Sequence, residues 1–141
     1  MANYEQIYRE ALRDNEAFWL DAAAAIDWTK KPKTGLDKKN PPLYRWFPDG
    51  EMNTCFNAVD RHVLAGRGTQ NAIIYDSPIT GQKSSTTYAD LKYQTERFAG
   101  MLASLGVTQG DRVIIYMPMI PEAIVAMLGC ARIGAVHSVV F

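Results

Sequence analysis

The fold is decided by residues 110–141, which read GDRVIIYMPMIPEAIVAMLGCARIGAVHSVVF. Residues 112–117 are apolar at nearly every position, as in central parallel strands that are buried on both faces. Pro121 suits the first turn of a helix, and Gly134 closes that helix. A second apolar run follows the glycine. A strand, a helix and a strand within about 30 residues indicate a βαβ unit with a right-handed crossover.

The residues before this unit predict helices and one hairpin. Asp14, Asn53 and Thr87 are good helix N-caps, and Asp90 takes the third helical position of a capping box after Thr87. Helices are predicted near residues 4–13, 15–26, 53–65, 88–105 and 120–133. Strands are predicted near residues 71–76, 83–87, 112–117 and 135–140. The whole pattern predicts an α/β fold in which a helical N-terminal segment precedes a sheet that contains the βαβ unit.

Residues 28–52 form a segment of different composition, rich in Pro, Lys, Gly and Asp. Trp28, Trp46 and Phe47 are expected to anchor this extended stretch, so it is predicted to be ordered rather than a flexible linker. Its lysines at positions 30–39 are interpreted as a charged surface loop, in preference to a phosphate or membrane patch.

The composition excludes several classes of protein. At 141 residues the chain is long enough for one ordinary domain, and 48% hydrophobic residues are enough for a core. Fifteen basic and fifteen acidic residues give a net charge of zero, which argues against nucleic-acid binding. Uncharged apolar runs such as residues 123–131 are far shorter than the roughly 20 residues of a membrane span. Neither nucleic acid nor a membrane is therefore a predicted partner.

Two cysteines, Cys55 and Cys130, are too few for a disulfide framework and are typical of a reducing compartment. Acidic residues within the first fourteen positions disfavour an import peptide, so a cytoplasmic protein is expected. Cys55 and His62 are seven residues apart, as are Cys130 and His137. Two Cys and two His are able to complete a zinc site, but this spacing is wider than usual. Buried thiols and hydrogen-bonded core histidines are the preferred interpretation.

No complete catalytic motif is present. The stretch Gly81-Gln-Lys-Ser-Ser85 resembles part of a phosphate-binding loop, which would join a strand to the N-terminus of a helix. Here the stretch lies between two predicted strands, so a hairpin turn is predicted instead. No catalytic residue and no metal ligand is predicted within the chain.

Seven stretches share their order and spacing with one enzyme family. They are EAFW at 16–19, IDW at 26–28, RWFPDG at 45–50, NTCFNAVDRH at 53–62, TYADL at 87–91, GDRVIIYMPMIPEA at 110–123 and CARIGAVHSVVF at 130–141. Together they resemble the start of the acetyl-/propionyl-CoA synthetases, members of the adenylate-forming superfamily. The resemblance covers residues 4–141, and its last two stretches are specific to that group. It implies an acetyl-CoA-synthetase-type N-terminal region at residues 1–60 and the start of the AMP-binding, adenylate-forming domain at residues 61–141.

The resemblance implies a two-step ligase reaction. ATP and a short carboxylate give an acyl-adenylate and pyrophosphate with Mg2+, and the thiol of CoA then attacks the adenylate. The family's phosphate loop, its nucleotide contacts and its C-terminal lysine have no counterpart here, so the chain alone is expected to be inactive. Phe141 is the one candidate contact, because in the family this phenylalanine precedes two glycines that approach the adenine end of CoA. An ordinary sheet residue is the alternative interpretation of Phe141.

The choice of substrate rests on two short stretches. Residues 53–58 and 75–81 resemble propionyl-CoA synthetases more than acetyl-CoA synthetases, so propionate is the expected substrate and acetate the alternative. In the family the acyl pocket lies beyond residue 141. A non-catalytic structural or interaction module on the same fold is a further alternative.

The end of the chain falls inside its last predicted strand, so the sequence is expected to be truncated. Natural domains seldom end in the middle of a sheet, because the strand would expose an unpaired edge. Apolar surface for further residues to cover is expected at Ile114, Tyr116, Val136, Val140 and Phe141. Self-association through the exposed sheet edge is predicted as one way to cover it.

Overall fold

A computed structural model of the chain describes residues 3–140. They form two compact units, which are divided between Met52 and Asn53, and each unit has its own helices and strands. The predicted domain boundary, between residues 60 and 61, lies a few residues further along the chain and remains a prediction.

The first unit contains two helices and a small antiparallel sheet. Helix α1 spans Tyr4–Arg13, and helix α2 spans Asn15–Ala22 before a 3₁₀ turn at Ala23–Ala25. Strand β1, Leu36–Asp37, pairs with strand β2, Arg45–Trp46. The helices confirm the prediction, whereas the two short strands were not predicted because the segment between them lacks alternating apolar residues.

Aromatic side chains anchor the extended segment of the first unit, as predicted. The indole N–H of Trp28 donates to the carbonyl of Ala23 at 2.7 Å, and the Trp28 ring lies 5.6 Å from that of Phe47. The Trp46 ring lies 5.9 Å from that of Trp19 on α2. Edge-on ring pairs of this kind stabilise a segment that has little regular backbone pairing.

The second unit begins with a helical segment that is wider than an α-helix. Asn53 caps it as predicted, since its side-chain oxygen accepts the N–H of Phe56 at 3.0 Å. Most of the segment is π-helical, at Phe56–Asp60 and Val63–Arg67. Cys55, which precedes the first π-helical turn, and Val59 within it are fully buried. Phe56, beside Cys55 in the sequence, is exposed.

A hairpin and a long helix follow. Strand β3, Asn71–Asp76, pairs antiparallel with strand β4, Lys83–Thr87, and helix α3 spans Tyr88–Ser104. Gly81 has a positive φ of 68° in the connecting turn, where the N–H of Gly81 donates to the carbonyl of Ser77 at 2.8 Å. Residues 81–85 are therefore the end of a hairpin turn and the start of β4. The predicted hairpin is confirmed, and the stretch does not lead from a strand into the N-terminus of a helix.

The βαβ unit is confirmed. Strand β5, Arg112–Tyr116, is parallel to strand β6, Val136–Val140, and helix α4, Pro121–Ile133, connects them. Pro121 stands in the first turn of α4, as predicted. Gly134 has a φ of 74°, a left-handed conformation that glycine adopts without steric penalty and that ends α4.

The core of the second unit lies where α3 and α4 pack on the β5–β6 sheet and on the helical segment that begins at Asn53, called the capped segment below. One buried cluster centres on Leu102, Ile115 and Cys130, and another on Cys55 and Val59. The Phe98 side chain packs against both clusters. Leu105, the residue after the end of α3, is 73% exposed.

One face of the β5–β6 sheet is open within residues 3–140. Ile114 and Tyr116 on β5 are 73% and 78% exposed, whereas Ile115 between them is buried. Val136 and Val140 on β6 are also exposed. Within residues 3–140 helices cover only the face of β5 that carries Ile115, so burial of its other face stays a prediction. The apolar surface predicted for these four residues is confirmed.

Candidate functional site

The carboxyl edge of the β5–β6 sheet is the place where the fold favours a ligand. In sheets of parallel strands, ligands bind beyond the carboxyl ends of the strands. Tyr116 and Val140 are register partners at this edge. Phe141, the predicted CoA contact, directly follows Val140 but lies outside the described residues. Its role therefore stays a prediction, and the structure describes only the strand that leads to it.

A cavity of about 550 Å³ opens at the end of β5, between α3 and the first turns of α4. Its lining consists of Tyr93, Gln94, Arg97, Phe98, Met101, Met117, Glu122 and Val125. The volume is in the range of small-molecule pockets, and most of the lining is apolar. Arg97 donates to the hydroxyl of Tyr93 at 3.0 Å and lies 5.6 Å from the centre of that ring. This lining is able to hold an apolar group, and it contains no cysteine, serine or histidine.

The N-terminus of α4 lacks the features of a phosphate site. Its N-cap residue, Ile120, has no side chain that accepts a hydrogen bond. The connection from β5, residues 117–120, contains Pro118 and no glycine, and α4 itself begins with Pro121. A phosphate loop needs converging backbone N–H groups, which glycines allow and prolines remove. The described chain therefore offers no cradle for a triphosphate at this position.

A largely buried ion pair holds the capped segment to α4. Arg132 donates to a carboxylate oxygen of Asp60 at 2.8 Å, and the side chains are 22% and 9% exposed. A weaker contact joins Arg132 to Glu96 at 3.9 Å. The Nε of Arg132 is buried without a hydrogen-bond partner among the described residues. Such a pair fixes the position of α4 and offers no exposed reactive atom.

Asn53 strengthens the same contact from the other side. Its side-chain amide donates to the carbonyls of Ala131 and Arg132, at 3.3 and 3.0 Å. Both carbonyls lie in the last turn of α4, where the Ala131 carbonyl also accepts the N–H of Gly134 at 3.2 Å. One side chain thus caps the start of one helical segment and the end of another. Neither Asp60 nor this second role of Asn53 was predicted, because both contacts join residues more than 70 positions apart.

The cysteines and histidines that suggested a zinc site are placed apart. Cys55 and Cys130 are both fully buried in different clusters, and burial raises the pKa of each thiol. A raised pKa keeps a thiol protonated and unreactive at neutral pH, so these are buried thiols, as predicted. No group of three or more Cys, His, Asp or Glu suited to a metal ion is found within residues 3–140.

The two histidines differ from each other. His62 is half-buried, its ring lies 4.9 Å from that of Tyr88, and its Nδ1 is 3.0 Å from the guanidinium of Arg67. Desolvation lowers the pKa of His62, and the nearby arginines lower it further. His137 is exposed on β6. The interpretation of His137 as a core histidine is therefore wrong, because the helices leave its end of the strand uncovered.

None of the helices within residues 3–140 combines the length and the apolar character of a bilayer-spanning segment.

Two protein families match the chain one after the other. Residues 4–58 match the N-terminus of acetyl-coenzyme A synthetase, and residues 60–141 match the AMP-binding enzymes. A human relative named acyl-CoA synthetase short-chain family member 3, mitochondrial, is 46% identical over 140 residues, which are 99% of this chain and 20% of that protein. The acetyl-coenzyme A synthetase of Streptomyces coelicolor is 49% identical over 136 residues, which are 96% of this chain and 21% of that protein. The chain spans about a fifth of the length of these relatives.

Proposed function

This chain belongs to the AMP-binding enzyme family, and we propose that it is part of a short-chain acyl-CoA synthetase. The observation that carries the proposal is the uninterrupted succession of the two family matches, at 4–58 and 60–141. A chain that shared only a nucleotide-binding fold would match the AMP-binding enzymes but not the N-terminal region of acetyl-coenzyme A synthetase. The proposed enzyme activates a carboxylic acid with ATP as its acyl-adenylate and then forms the thioester with coenzyme A.

The described residues supply scaffold rather than chemistry to this reaction. ATP, CoA and Mg2+ are the cofactors of the proposed enzyme. Residues 3–140 do not fit Mg2+ or the triphosphate, since they contain neither a suitable cluster of metal ligands nor a loop with converging N–H groups. The role we assign to this chain is to build β5, α4 and β6 and so to place Phe141 at the carboxyl edge, where it would meet CoA. By itself the chain is proposed to be inactive.

Propionate is the proposed acid, and acetate is the second candidate. The support for propionate is the resemblance of residues 53–58 and 75–81 to propionyl-CoA synthetases. The support for acetate is the match at 4–58 and the acetyl-coenzyme A synthetases among the relatives. We also propose a cytoplasmic location, which is supported by the free, buried thiols of Cys55 and Cys130. The human relative, whose name includes the word mitochondrial, gives the alternative location.

A chimera tests the synthetase proposal with this chain itself. The matching 136 residues of the Streptomyces coelicolor enzyme are replaced by those of this chain, and acid-dependent formation of AMP is measured. We expect the chimera to retain activity, with the acid preference of the host, because the family's acyl pocket lies elsewhere. A host that lacks the segment is the control. A chimera that is folded, binds ATP and forms no AMP would contradict the proposal.

The choice of acid needs a separate measurement. The polypeptide that contains this chain, at its full encoded length, is assayed with acetate, propionate and butyrate under identical conditions. We expect kcat/KM to be highest for propionate. A higher value for acetate would replace propionate by the second candidate and would leave the synthetase assignment in place.

A further inference from the structure

The last turn of α4 is joined to β6 by only two residues, so its position determines where β6 begins. Gly134 ends α4, and the N–H of Ala135 donates back to the carbonyl of Cys130 at 3.0 Å. The next N–H, that of Val136, donates to the carbonyl of Asp111 at 2.8 Å, where the parallel ladder with β5 begins. Because hydrogen bonds fix this connection at both ends, a displacement of the helix end reaches the start of β6.

Two polar side chains of the capped segment hold the same turn of α4. The amide of Asn53 donates to the carbonyls of Ala131 and Arg132, and Asp60 accepts from the Arg132 guanidinium at 2.8 Å. Ala131 also packs against the buried cluster that contains Cys55. Hydrogen bonds between charged groups are stronger than neutral ones. Polar and apolar contacts together therefore keep the last turn of α4 in one place.

Strand β6 carries this position to the edge of the sheet where the fold favours a ligand. Its five residues, Val136–Val140, are in unbroken register with β5, so the strand is displaced as one piece. Phe141, the proposed CoA contact, directly follows it. Residues 117–120, at the same edge, have no glycine and offer the triphosphate of ATP no cradle. The end of α4 is therefore coupled more directly to the proposed CoA contact than to the groups that would bind ATP.

We propose that Asn53 is a positioning residue for thioester formation, because its amide holds the helix end that sets β6. The inference rests on the proposed function. Asp60 acts on the same turn through Arg132. A residue far from the chemistry has a large effect in this way, since a displacement of about 1 Å costs about 100-fold in rate. Loss of the Asn53 amide should therefore weaken the step that uses CoA and leave the formation of the acyl-adenylate unchanged.

The substitution Asn53→Ser separates the two roles of Asn53. Serine caps a helix about as well as asparagine, but it lacks the amide that donates to α4. Asn3→Ser is the matched control, because Asn3 caps α1 by accepting the N–H of Gln6 at 3.0 Å within its own helix. Both variants are made in the polypeptide that contains this chain, at its full encoded length. Acid-dependent ATP–pyrophosphate exchange measures the first step, and a titration with CoA measures the second.

We expect Asn53→Ser to raise the KM for CoA about tenfold, which is less than the loss caused by a full 1 Å displacement. Pyrophosphate exchange should be unchanged in this variant, and Asn3→Ser should match the wild type in both assays. A smaller amount of folded enzyme would lower the kcat of both steps and would not change the KM for CoA. The rise in this KM is therefore a readout that a merely structural role does not produce.

The outcomes that contradict the inference are distinct. An unchanged KM for CoA in folded Asn53→Ser enzyme, or an equal rise in Asn3→Ser, would refute the positioning role. If Asn53→Ser does not fold, Asp60→Asn decides the matter, because it weakens the hold on the same turn through Arg132 and should raise the same KM. A wild-type enzyme without acid-dependent exchange would instead refute the proposed function, and the positioning role with it.

Discussion

Replacing Gly129 by alanine tests how closely α3 and α4 pack. Gly129 is buried in α4, and a Cβ atom there would lie 2.5 Å from Cδ1 of Phe98 on α3 and 3.4 Å from its Cβ. Alanine favours a helix interior over glycine by about 0.5–1 kcal/mol. Overpacking of a core costs about 1–3 kcal/mol, and the contact at 2.5 Å belongs in the upper part of that range. The net expectation is a loss of about 1–2 kcal/mol in the free energy of unfolding.

Gly100 provides the matched control, because it lies within the last third of α3, where a Cβ atom would have no neighbour within 4 Å among the described residues. Gly100→Ala should raise the free energy of unfolding by about 0.5–1 kcal/mol. The two alanines therefore have opposite signs, although the substitution is the same. Urea unfolding followed by far-UV circular dichroism measures both, and unchanged m-values confirm that midpoints report stability. If Gly129→Ala raises the free energy of unfolding as Gly100→Ala does, the inference that α3 and α4 pack closely at Gly129 is wrong.

Three further predictions concern the ion pair, acid stability and activity. Asp60→Ala should lower the free energy of unfolding in urea titrations by about 2–4 kcal/mol, because Arg132 would remain largely buried without its carboxylate partner. Glu96→Ala, which removes only the weaker contact of Arg132, should lower it by less than about 1 kcal/mol. The backbone N–H and the hydroxyl of Thr108 donate to the Asp111 carboxylate and lower the pKa of Asp111 below 3.8. The stability that the ionised carboxylate contributes is therefore present above pH 3.8 and is lost as the pH falls through the pKa of the folded state. Asp111→Asn should flatten the acid dependence of the urea midpoint. The purified chain should show no ATP–pyrophosphate exchange above a heat-killed control, and exchange above it would disprove the proposed inactivity.

The elements of the second unit were predictable because each has a local signal. The apolar run at 112–117, Pro121 and Gly134 define a strand, a helix start and a helix end without reference to other residues. The bounds differ from the prediction by one or two residues, as fraying ends do. The π-helical turns after Asn53 were not predictable, since α and π spacing cannot be distinguished over a few turns of apolar residues.

Contacts between distant residues account for the rest of what the sequence did not predict. Asp60 and Arg132 are 72 positions apart. By itself, an arginine near the end of a helix indicates only a favourable interaction with the helix dipole. The cavity beside β5 is lined from α3, α4 and the residue after β5, so no local pattern marks it. The site at Phe141 was predicted from family resemblance and not from a pattern of reactive residues. A chain that contains few reactive residues offers no catalytic motif from which a site is predicted.

The contacts between the side chain of Asn53 and the end of α4 form only late in the synthesis of the second unit. Its partners in α4 follow it by 78 and 79 positions. At a translation rate of about 5–20 residues per second, the ribosome adds the last partner roughly 4–16 s after Asn53. Until then the nascent segment that begins at Asn53 has neither the helix end that it caps nor the arginine that pairs with Asp60. The first residues of the second unit are therefore among the last to be fixed, and chaperones have seconds in which to bind them.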